Sequence, residues 1–316
     1  MGELNMYIPI RDETNYMIKY YQYLFNKYWG KHVQVYFLGY KPPEFELEEN
    51  IHFISLAESR DPSPKAWSEP LVEFFESIED EYFYFSMEDL LIIRPVDLEL
   101  IEVCKEMMNP TVGRIDLWNS VQFDPHRGGR VQFFKKHRGV NFSKHDQDAP
   151  INCYRVSCSN SIWNRKWFLK TLQKNWCTLD WEKKANDGRN HNDGYDVLST
   201  IDRWTPTVVH SLCRHWRGKI NIYGMFKEDR EQLINLSTQD EIERFYEVTN
   251  AVTVINLDYN DSLRDSWDWR FNNAEEEEKY KFYVGDGVKY GPSPDDDPPI
   301  QGYQPNVSHV SNIKIQ

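Results

Sequence analysis

The stretch Tyr82-Phe-Tyr-Phe-Ser-Met-Glu-Asp-Leu-Leu-Ile-Ile-Arg-Pro-Val-Asp97 decides the fold class of this chain. Its four consecutive aromatic residues, Tyr82–Phe85, predict a strand covered on both faces, as in a mostly parallel sheet. The adjacent acids Glu88 and Asp89 follow this strand, at the position where open α/β sheets bind their ligands. An acidic pair there fits a divalent cation that recruits phosphates. A solvated acidic turn between two strands fits the same residues.

The composition predicts a folded, intracellular protein. Of 316 residues, 40% are hydrophobic and 15% are aromatic, which suffices for a large core and is unlike a disordered chain. The net charge of −13 disfavours generic nucleic-acid binding, which depends on clustered Lys and Arg. The 5 cysteines form no Cys-x-x-Cys pair, which favours a reducing compartment over disulfides or zinc. Without a signal peptide or an apolar run of about 20 residues, we expect a cytoplasmic protein with no membrane span.

Strand and helix patterns alternate in the N-terminal third. The predicted strands are Tyr7–Ile10, Val33–Gly39, Ile51–Leu56 and Tyr82–Phe85, and the predicted helices are Asn15–Tyr28 and Lys65–Ile78. This alternation predicts a doubly wound α/β sheet.

Several short motifs in this third occur in one order: Leu24–Trp29, Phe37–Pro43, Ala66–Leu71, Glu88-Asp89 and Arg94–Asp97. That order resembles the nucleotide-binding half of GT-A-type glycosyltransferases, in particular a group of glycosyltransferase-like proteins from phages and bacteria. Such enzymes more often carry Asp-any-Asp where this chain carries Glu88-Asp89, so the match is to a variant. The resemblance implies a GT-A-like, Rossmann-like fold and a nucleotide-sugar donor. It also implies Mn²⁺ or Mg²⁺ as cofactor, held by Glu88 and Asp89.

The same resemblance implies further contacts with the nucleotide-sugar. Asp12 follows the first strand, and Arg60 and Lys65 lie in the loop before the second helix, where they would meet the diphosphate. The start of that helix also offers free backbone N–H groups to anions. Trp67 belongs to this set, although packing in the core or a loop is the simpler interpretation of a tryptophan. Solvated surface roles are the simpler interpretation of Arg60 and Lys65.

The second part of the chain resembles the acceptor half of the same group. We predict a helix at Leu98–Met108, a strand at Gly113–Trp118, a long loop or hairpin over one edge of the sheet at Phe123–Ala149, a strand at Ile151–Ser157 and a helix at Ser161–Leu172. The resemblance implies a general base near Trp181, for which Asp180 and Glu182 are the candidates and Glu182 is preferred. The alternative is that both acids cap a helix starting near Glu182. Trp163, Trp167 and Trp181 are candidates for stacking on sugar rings, although most tryptophans in a chain of 316 residues simply pack in the interior.

The remaining sequence yields coarser predictions. The turn-rich segment Asn186–Asp196 fits a loop that closes on a bound donor, and His215 is a candidate for a further metal ligand by the resemblance. A helical stretch is predicted at Asp229–Asn250 and a last strand at Val252–Ile255. We expect a glycosyltransferase domain over 1–270, with a donor half at 1–110 and an acceptor half at 111–270. Residues 271–316 are predicted to form an irregular, acidic tail outside the catalytic machinery.

Three functions are compatible with these patterns. The first is a metal-dependent glycosyltransferase of the hexosyltransferase type, which moves a sugar from a nucleotide diphosphate to a hydroxyl of a glycan or other acceptor. The second is a catalytically inactive binding or assembly protein that keeps the same fold and pocket. The third is a nucleotidyltransferase, which usually carries a Gly-rich phosphate loop after the first strand. Arg11–Asn15 contains no glycine, which disfavours the third.

Overall fold

One nine-stranded sheet forms the framework of the protein. The computed structural model describes residues 2–58, 67–93, 95–117, 131–145, 155–186, 192–200, 215–216, 219–220 and 225–242. The strands are β1 (Met6–Pro9), β2 (Val35–Gly39), β3 (Ile51–Ser55), β4 (Tyr82–Phe85), β5 (Val112–Asp116), β6 (Val131–His137), β7 (Val140–His145), β8 (Ser161–Asn164), β9 (Asp196–Thr200), β10 (His215–Trp216) and β11 (Lys219–Ile220). The helices are α1 (Met17–Tyr28), α2 (Ser68–Ser77), α3 (Leu98–Met107), α4 (Arg165–Thr171), α5 (Thr178–Lys184) and α6 (Lys227–Asn235).

The strand order in the sheet is β3-β2-β1-β4-β8-β5-β9-β7-β6, and β10 and β11 form a separate antiparallel pair. β1 to β4 run parallel to one another, and β5 and β9 are also parallel to each other. β8 is antiparallel to both its neighbours, and β7 is antiparallel to both β9 and β6. Seven of the nine strands therefore run in one direction. The predicted fold class, an α/β fold with a mostly parallel sheet flanked by helices, is confirmed.

Helices cover both faces of the sheet, as expected of a doubly wound fold. α1, α3 and α6 pack on the face that carries Ile8, Phe37 and Ile115. α2, α4 and α5 pack on the opposite face, which carries Phe83 and Trp163. Strands covered on both sides need apolar side chains in both directions, which explains the unbroken aromatic run of β4.

The elements predicted in the N-terminal third are confirmed, with small shifts at their ends. α1 could be predicted because its apolar residues recur every three or four positions, which is the spacing of one helix face. Seven of its twelve residues are buried. Both predicted halves of the domain contribute strands to the one sheet. β8 lies between β4 of the first half and β5 of the second half.

The predicted helix Ser161–Leu172 was wrong in its first part. Ser161–Asn164 is β8, and the helix α4 begins only at Arg165. The Asn164 side chain caps this helix by accepting hydrogen bonds from the backbone N–H groups of Lys166 (3.0 Å) and Trp167 (3.3 Å). Of the strand predicted at Ile151–Ser157, the described residues from Arg155 onward form a loop, so this prediction was also wrong there.

The segment predicted as a long loop or hairpin contains the β6–β7 hairpin, which extends the sheet at its edge. Its two-residue turn is Arg138-Gly139, with φ of 44° and 85°. Positive φ at both positions defines a turn whose twist matches that of paired strands, and glycine adopts such a φ without steric cost. The remainder of the predicted segment lies outside the described residues.

The predicted helix Asp229–Asn250 is interrupted. α6 ends at Asn235, and a new helical turn begins after Thr238. The Thr238 N–H donates to the Glu241 carboxylate (2.7 Å), and the Glu241 N–H donates to the Thr238 hydroxyl (3.4 Å). This reciprocal pair is a capping box, which starts a helix. The predicted strand Val252–Ile255 and the predicted acidic tail 271–316 lie outside the described residues.

A buried carboxylate attaches α6 to α1. The Asp229 side chain is fully buried and accepts hydrogen bonds from the Tyr23 hydroxyl (2.9 Å), the Lys27 ammonium (2.5 Å) and the Tyr28 hydroxyl. A buried charge is tolerated only when donors of this kind replace the water it has lost. The three donors lie on one face of α1, so this contact fixes where α6 packs.

We predict that Asp229→Ala lowers the free energy of unfolding by about 3 kcal/mol, because it removes the buried acceptor of the Tyr28 hydroxyl and of the partly exposed Tyr23 and Lys27 side chains. Urea denaturation measures the change. Glu231→Gln on the same helix is the control, since its carboxylate is exposed and, among the described residues, pairs with Lys227 alone at 3.7 Å. The control should change stability by less than about 1 kcal/mol. Equal effects of the two substitutions would contradict the assignment of Asp229 as the attachment point.

Candidate active site

The candidate site lies where the strand order of the sheet reverses. From β1 the chain moves outward to β2 and β3, and it then returns to place β4 on the other side of β1. Such switch points open a crevice beyond the carboxyl ends of the two strands, and ligands bind there in open α/β sheets. Arg11 and Asp12 follow β1, and Glu88 and Asp89 follow β4. The topology therefore brings two segments that are far apart in sequence to one crevice.

Glu88 is the buried acid of this crevice, with 5% of its surface exposed. Its Oε1 accepts a hydrogen bond from the Thr14 hydroxyl (3.1 Å) and lies 3.9 Å from Nε of Arg11. Burial raises the pKa of Glu88 to about 7, and the neighbouring Asp89 carboxylate adds to this rise. Arg11 and Thr14 oppose it, because they stabilise the charged form. The crevice thus contains two carboxylates that repel each other.

Glu182 contacts the loop that precedes β8, and Asn160 of that loop accepts a hydrogen bond from Ser86, which directly follows β4. Its Oε1 accepts hydrogen bonds from the backbone N–H of Cys158 (2.8 Å) and from the Ser157 hydroxyl (3.3 Å). The pKa of the Cys158 thiol is raised mainly by burial, and the carboxylates of Glu182 and Asp89 raise it further. Cys158 is therefore within electrostatic reach of both acids. No described residue donates a hydrogen bond to Oε2 of the partly exposed Glu182.

Asp180, the other candidate base, serves the helix instead. It forms a capping box with Cys177 at the start of α5 and an ion pair with Lys184 (2.8 Å). The hydrogen bond from Lys184 lowers the pKa of Asp180. Helix α5 begins at Thr178, earlier than the start near Glu182 that the capping alternative assumed. Helix capping, the alternative weighed for both acids, therefore applies to Asp180. Glu182 instead contacts the loop before β8.

Asp12 contacts a neighbouring loop. Its Oδ1 accepts a hydrogen bond from the backbone N–H of Lys41 (3.0 Å), and Asn15 donates to the carbonyl of Lys41 (2.7 Å). These two contacts join the loop after β1 to the loop after β2. Asp12 thus shapes one wall of the crevice.

The tryptophans pack in the core. Trp163, Trp167 and Trp181 are fully buried, and the rings of Trp163 and Trp167 stack at 5.2 Å between centroids. A Cβ at Gly113 would lie 2.4 Å from the Trp167 indole, so the glycine is needed for this approach. Buried rings cannot stack on a sugar, and that prediction was wrong for these three. Trp67 is partly buried, and its ring centroid lies 5.9 Å from that of Trp181. This is the packing that the simpler interpretation of Trp67 predicted.

The other predicted ligands are only partly described. Arg60 and Lys65 lie outside the described residues. For His215 the structure gives the backbone pairing with Ile220, which does not place its side chain. The predicted closing loop is described from Asn192 onward, where the buried Asp193 carboxylate accepts from Trp167 Nε1 (2.8 Å). This part of the loop is anchored to α4.

Sequence reasoning missed the polar residues between β5 and β8. Arg114 and Asp116 are fully buried, and Nη2 of Arg114 lies 3.1 Å from Oδ1 of Asp116. Ser159 donates a hydrogen bond to the same oxygen (3.1 Å). The run of small polar residues from Ser157 to Ser161 was a usable signal, because it predicts a turn and not the end of a strand.

Two negative observations concern the described part of the chain. Within it, no three His, Cys, Asp or Glu side chains lie close enough together to hold a metal ion. None of the helices that the structure describes has the length and apolar character needed to cross a membrane.

No family model matches the chain, and no curated protein matches it. Solved structures give distant likenesses. One is a CMP:2-keto-3-deoxy-manno-octonic acid synthetase in complex with CTP (13% identity, TM-score 0.35, covering 66% of this chain and 94% of the other). Another is the bifunctional glycosyltransferase WbbM (9%, 0.36, covering 60% and 38%). A third is the galactosyltransferase LgtC with donor and acceptor sugar analogues (12%, 0.32, covering 62% and 73%). Likenesses this weak do not establish the activity of this chain.

We predict that Glu88→Gln makes the protein more stable above pH 7. The raised pKa, about 7 against an ordinary 4.5, means that Glu88 stabilises the fold fully below pH 4.5 and loses this contribution as pH rises through 7. Glutamine stays neutral, so the variant should exceed wild type by up to about 3 kcal/mol at pH 8 and differ little at pH 4.5.

Urea unfolding at the two pH values measures this difference. Glu76→Gln, at an exposed position on α2, is the matched control and should show no pH-dependent gain. A Glu88→Gln variant that is less stable than wild type at pH 8 would show that the buried carboxylate is not under electrostatic strain.

Proposed function

We propose that this chain is a glycosyltransferase that moves a sugar from a nucleoside-diphosphate donor to a hydroxyl of a glycan or other acceptor. One observation carries the proposal: the Glu88-Asp89 pair lies at the switch point of a doubly wound sheet, and the loop that donates to the Glu182 carboxylate also contacts Ser86, which lies between β4 and that pair. Catalytic sites are where burial and like charges perturb carboxylates in this way. The motif order in the sequence, which resembles GT-A-type enzymes, agrees with this assignment.

The donor would bind across the carboxyl ends of β1, β2 and β4. Arg11, with half of its side chain exposed, offers a guanidinium beside Glu88 to a diphosphate oxygen. Asp12 shapes the adjoining wall through its contact with Lys41. On the sequence alone, Arg60 and Lys65 remain proposed ligands of the diphosphate. Trp67, at the start of α2, remains a proposed contact of the nucleotide-sugar.

The acidic pair suits a divalent cation. Carboxylate oxygens are the ligands that Mg²⁺ and Mn²⁺ prefer, and the repulsion between Glu88 and Asp89 is what a cation would relieve. When bound, such an ion neutralises the charge of the leaving diphosphate. Two carboxylates leave further positions to water and to donor phosphates, as is usual for Mg²⁺. His215 is retained as a proposed further ligand on the sequence resemblance alone.

Glu182 is the proposed general base. Its carboxylate takes the proton of the acceptor hydroxyl while the acceptor oxygen forms a bond to the anomeric carbon of the donor sugar. The bond from that carbon to the diphosphate breaks, and the electron pair leaves with the diphosphate. Asp180, which the sequence offered as the second candidate, is occupied by helix capping and by Lys184.

Donor binding is the first test. We expect a UDP-, GDP- or dTDP-sugar to raise the melting temperature in the presence of Mn²⁺, by the equivalent of about 2.7 kcal/mol at a hundred times its dissociation constant. Asp89→Asn should abolish the metal-dependent part of the shift, whereas the exposed control Glu76→Gln should keep it. If no nucleotide sugar shifts the wild type with or without metal, the proposal is wrong.

The second test separates the two acids of α5. Glu182→Gln should lower kcat for transfer by roughly 10²- to 10⁴-fold, the usual contribution of a general base, while the donor-induced thermal shift is kept. Asp180→Asn should retain most of kcat and lose only some stability. Equal losses in the two variants would exclude the assignment of Glu182 as the base. Donor binding without transfer or hydrolysis by the wild type would identify an inactive binding protein.

A further inference from the structure

Residues Arg155–Asn160, which we name the bridge loop, contact both sides of the candidate site. On the side of β4, the Ser86 hydroxyl donates a hydrogen bond to the Asn160 side chain, and both residues are buried. On the side of α5, Ser157 and the Cys158 N–H donate to Glu182. The loop is therefore the described segment that contacts both the strand before the acidic pair and the proposed base.

Arg114 on β5 holds this loop in place. Its Nε donates to the Ser161 hydroxyl (2.8 Å), its Nη1 to the carbonyl of Arg155 (3.0 Å) and its Nη2 to the Ser159 hydroxyl (2.7 Å). Asp116 completes the network by pairing with the same guanidinium (3.1 Å). A guanidinium presents its donors in a fixed plane, so its acceptors must lie in defined directions. These contacts therefore restrict the conformation of the loop as well as its distance from β5.

We propose that the bridge loop positions Glu182 for its reaction, with Ser157 as the positioning residue and Arg114 as the anchor of the loop. The inference rests on the proposed function, since it concerns how the proposed base is oriented. Both contacts of the bridge loop are made to one oxygen, Oε1, so they fix the rotation of the carboxylate. Oε2, to which no described residue donates a hydrogen bond, is then presented in a defined direction. Precise orientation of a reacting group contributes strongly to catalysis.

The alternative is that Glu182 merely helps the loop to fold. The two explanations differ in what they predict for Ser157, which adds a second donor to an oxygen that the Cys158 N–H already holds. A structural role predicts a loss of stability alone. A positioning role predicts a loss of turnover in a protein that still folds and binds donor.

The kinetic test uses Ser157→Ala in the full chain. We expect kcat for transfer to fall about 10- to 100-fold, the usual effect of losing a partner that orients a reacting group, with the KM for donor unchanged. Ser157→Thr keeps the hydroxyl and should restore most of kcat. Ser77→Ala is the matched control, because the exposed Ser77 hydroxyl bonds only within its own helix (2.7 Å to the Phe74 carbonyl).

A double-mutant cycle shows whether Ser157 acts through Glu182. If it does, Ser157→Ala should cause no further loss of kcat in a Glu182→Gln background. An equal loss in both backgrounds would overturn the proposal, as would an unchanged kcat in the single variant. These results would leave the glycosyltransferase assignment intact, because that assignment depends on donor binding and on transfer by the wild type.

Amide hydrogen exchange gives a readout that does not depend on activity. In Glu182→Ala the Cys158 amide loses its acceptor, so its exchange should become faster by about tenfold or more. Lys183→Ala, at an exposed position of the same helix, should leave that amide unchanged. Unchanged exchange at Cys158 in Glu182→Ala would show that the contact does not hold the loop and carboxylate together, and it would overturn the inference by itself.

Discussion

The antiparallel strand β8, inserted between β4 and β5, determines how the candidate site is assembled. Its register aligns Phe85 of β4, Ser161 of β8 and Asp116 of β5 in one row across the sheet. Because β8 runs against its neighbours, it starts at the edge where they end. The loop that precedes β8 therefore has to lie at the carboxyl ends of β4 and β5, beside the acids that follow β4. Had β8 been parallel, this loop would lie at the opposite edge, away from any ligand bound at the switch point.

The buried Arg114 makes that arrangement rigid. A fully buried guanidinium is destabilising unless its donors are all engaged, since breaking one such pair costs about 3–5 kcal/mol. Here Asp116 supplies the counter-charge, while hydroxyl and carbonyl oxygens of the segment 155–161 accept the remaining hydrogen bonds. Any displacement of the bridge loop would remove several acceptors together. Arg114 thus links the bridge loop, which has no regular secondary structure, to the central strands of the sheet. The orientation of Glu182 depends in turn on its contacts with this loop.

Local patterns predicted the N-terminal third because its helices have a clear apolar period and its strands are mostly apolar runs bounded by polar segments. The aromatic run of β4 predicts a strand and the apolar spacing of α1 predicts a helix. The position of Glu88 and Asp89 at the switch point then follows from the order of the strands. β8 could not be predicted in the same way, because four residues carry no distinguishable period and their strand conformation comes from pairing with β4 and β5. The contact of Glu182 with Cys158 also depends on that long-range pairing. By contrast, the capping box at Thr238 and Glu241 was readable, and it would have corrected the single long helix.

The acidic pair imposes an electrostatic cost on the fold, which a bound cation would reduce. Glu88 is held in a nearly dry position next to Asp89, and one Arg and one Thr do not bring its pKa back to the ordinary range. A neutral residue in place of either acid would remove this repulsion, so at this position stability and the proposed binding of positive charge oppose each other. A cation or another positively charged group placed between them would recover the electrostatic free energy. The carboxylate of Glu182, by contrast, accepts two hydrogen bonds from the protein itself, and these hold it in one orientation without a ligand. The difference between the two carboxylate environments is the physical basis for proposing that Glu88-Asp89 bind positive charge and that Glu182 takes the proton.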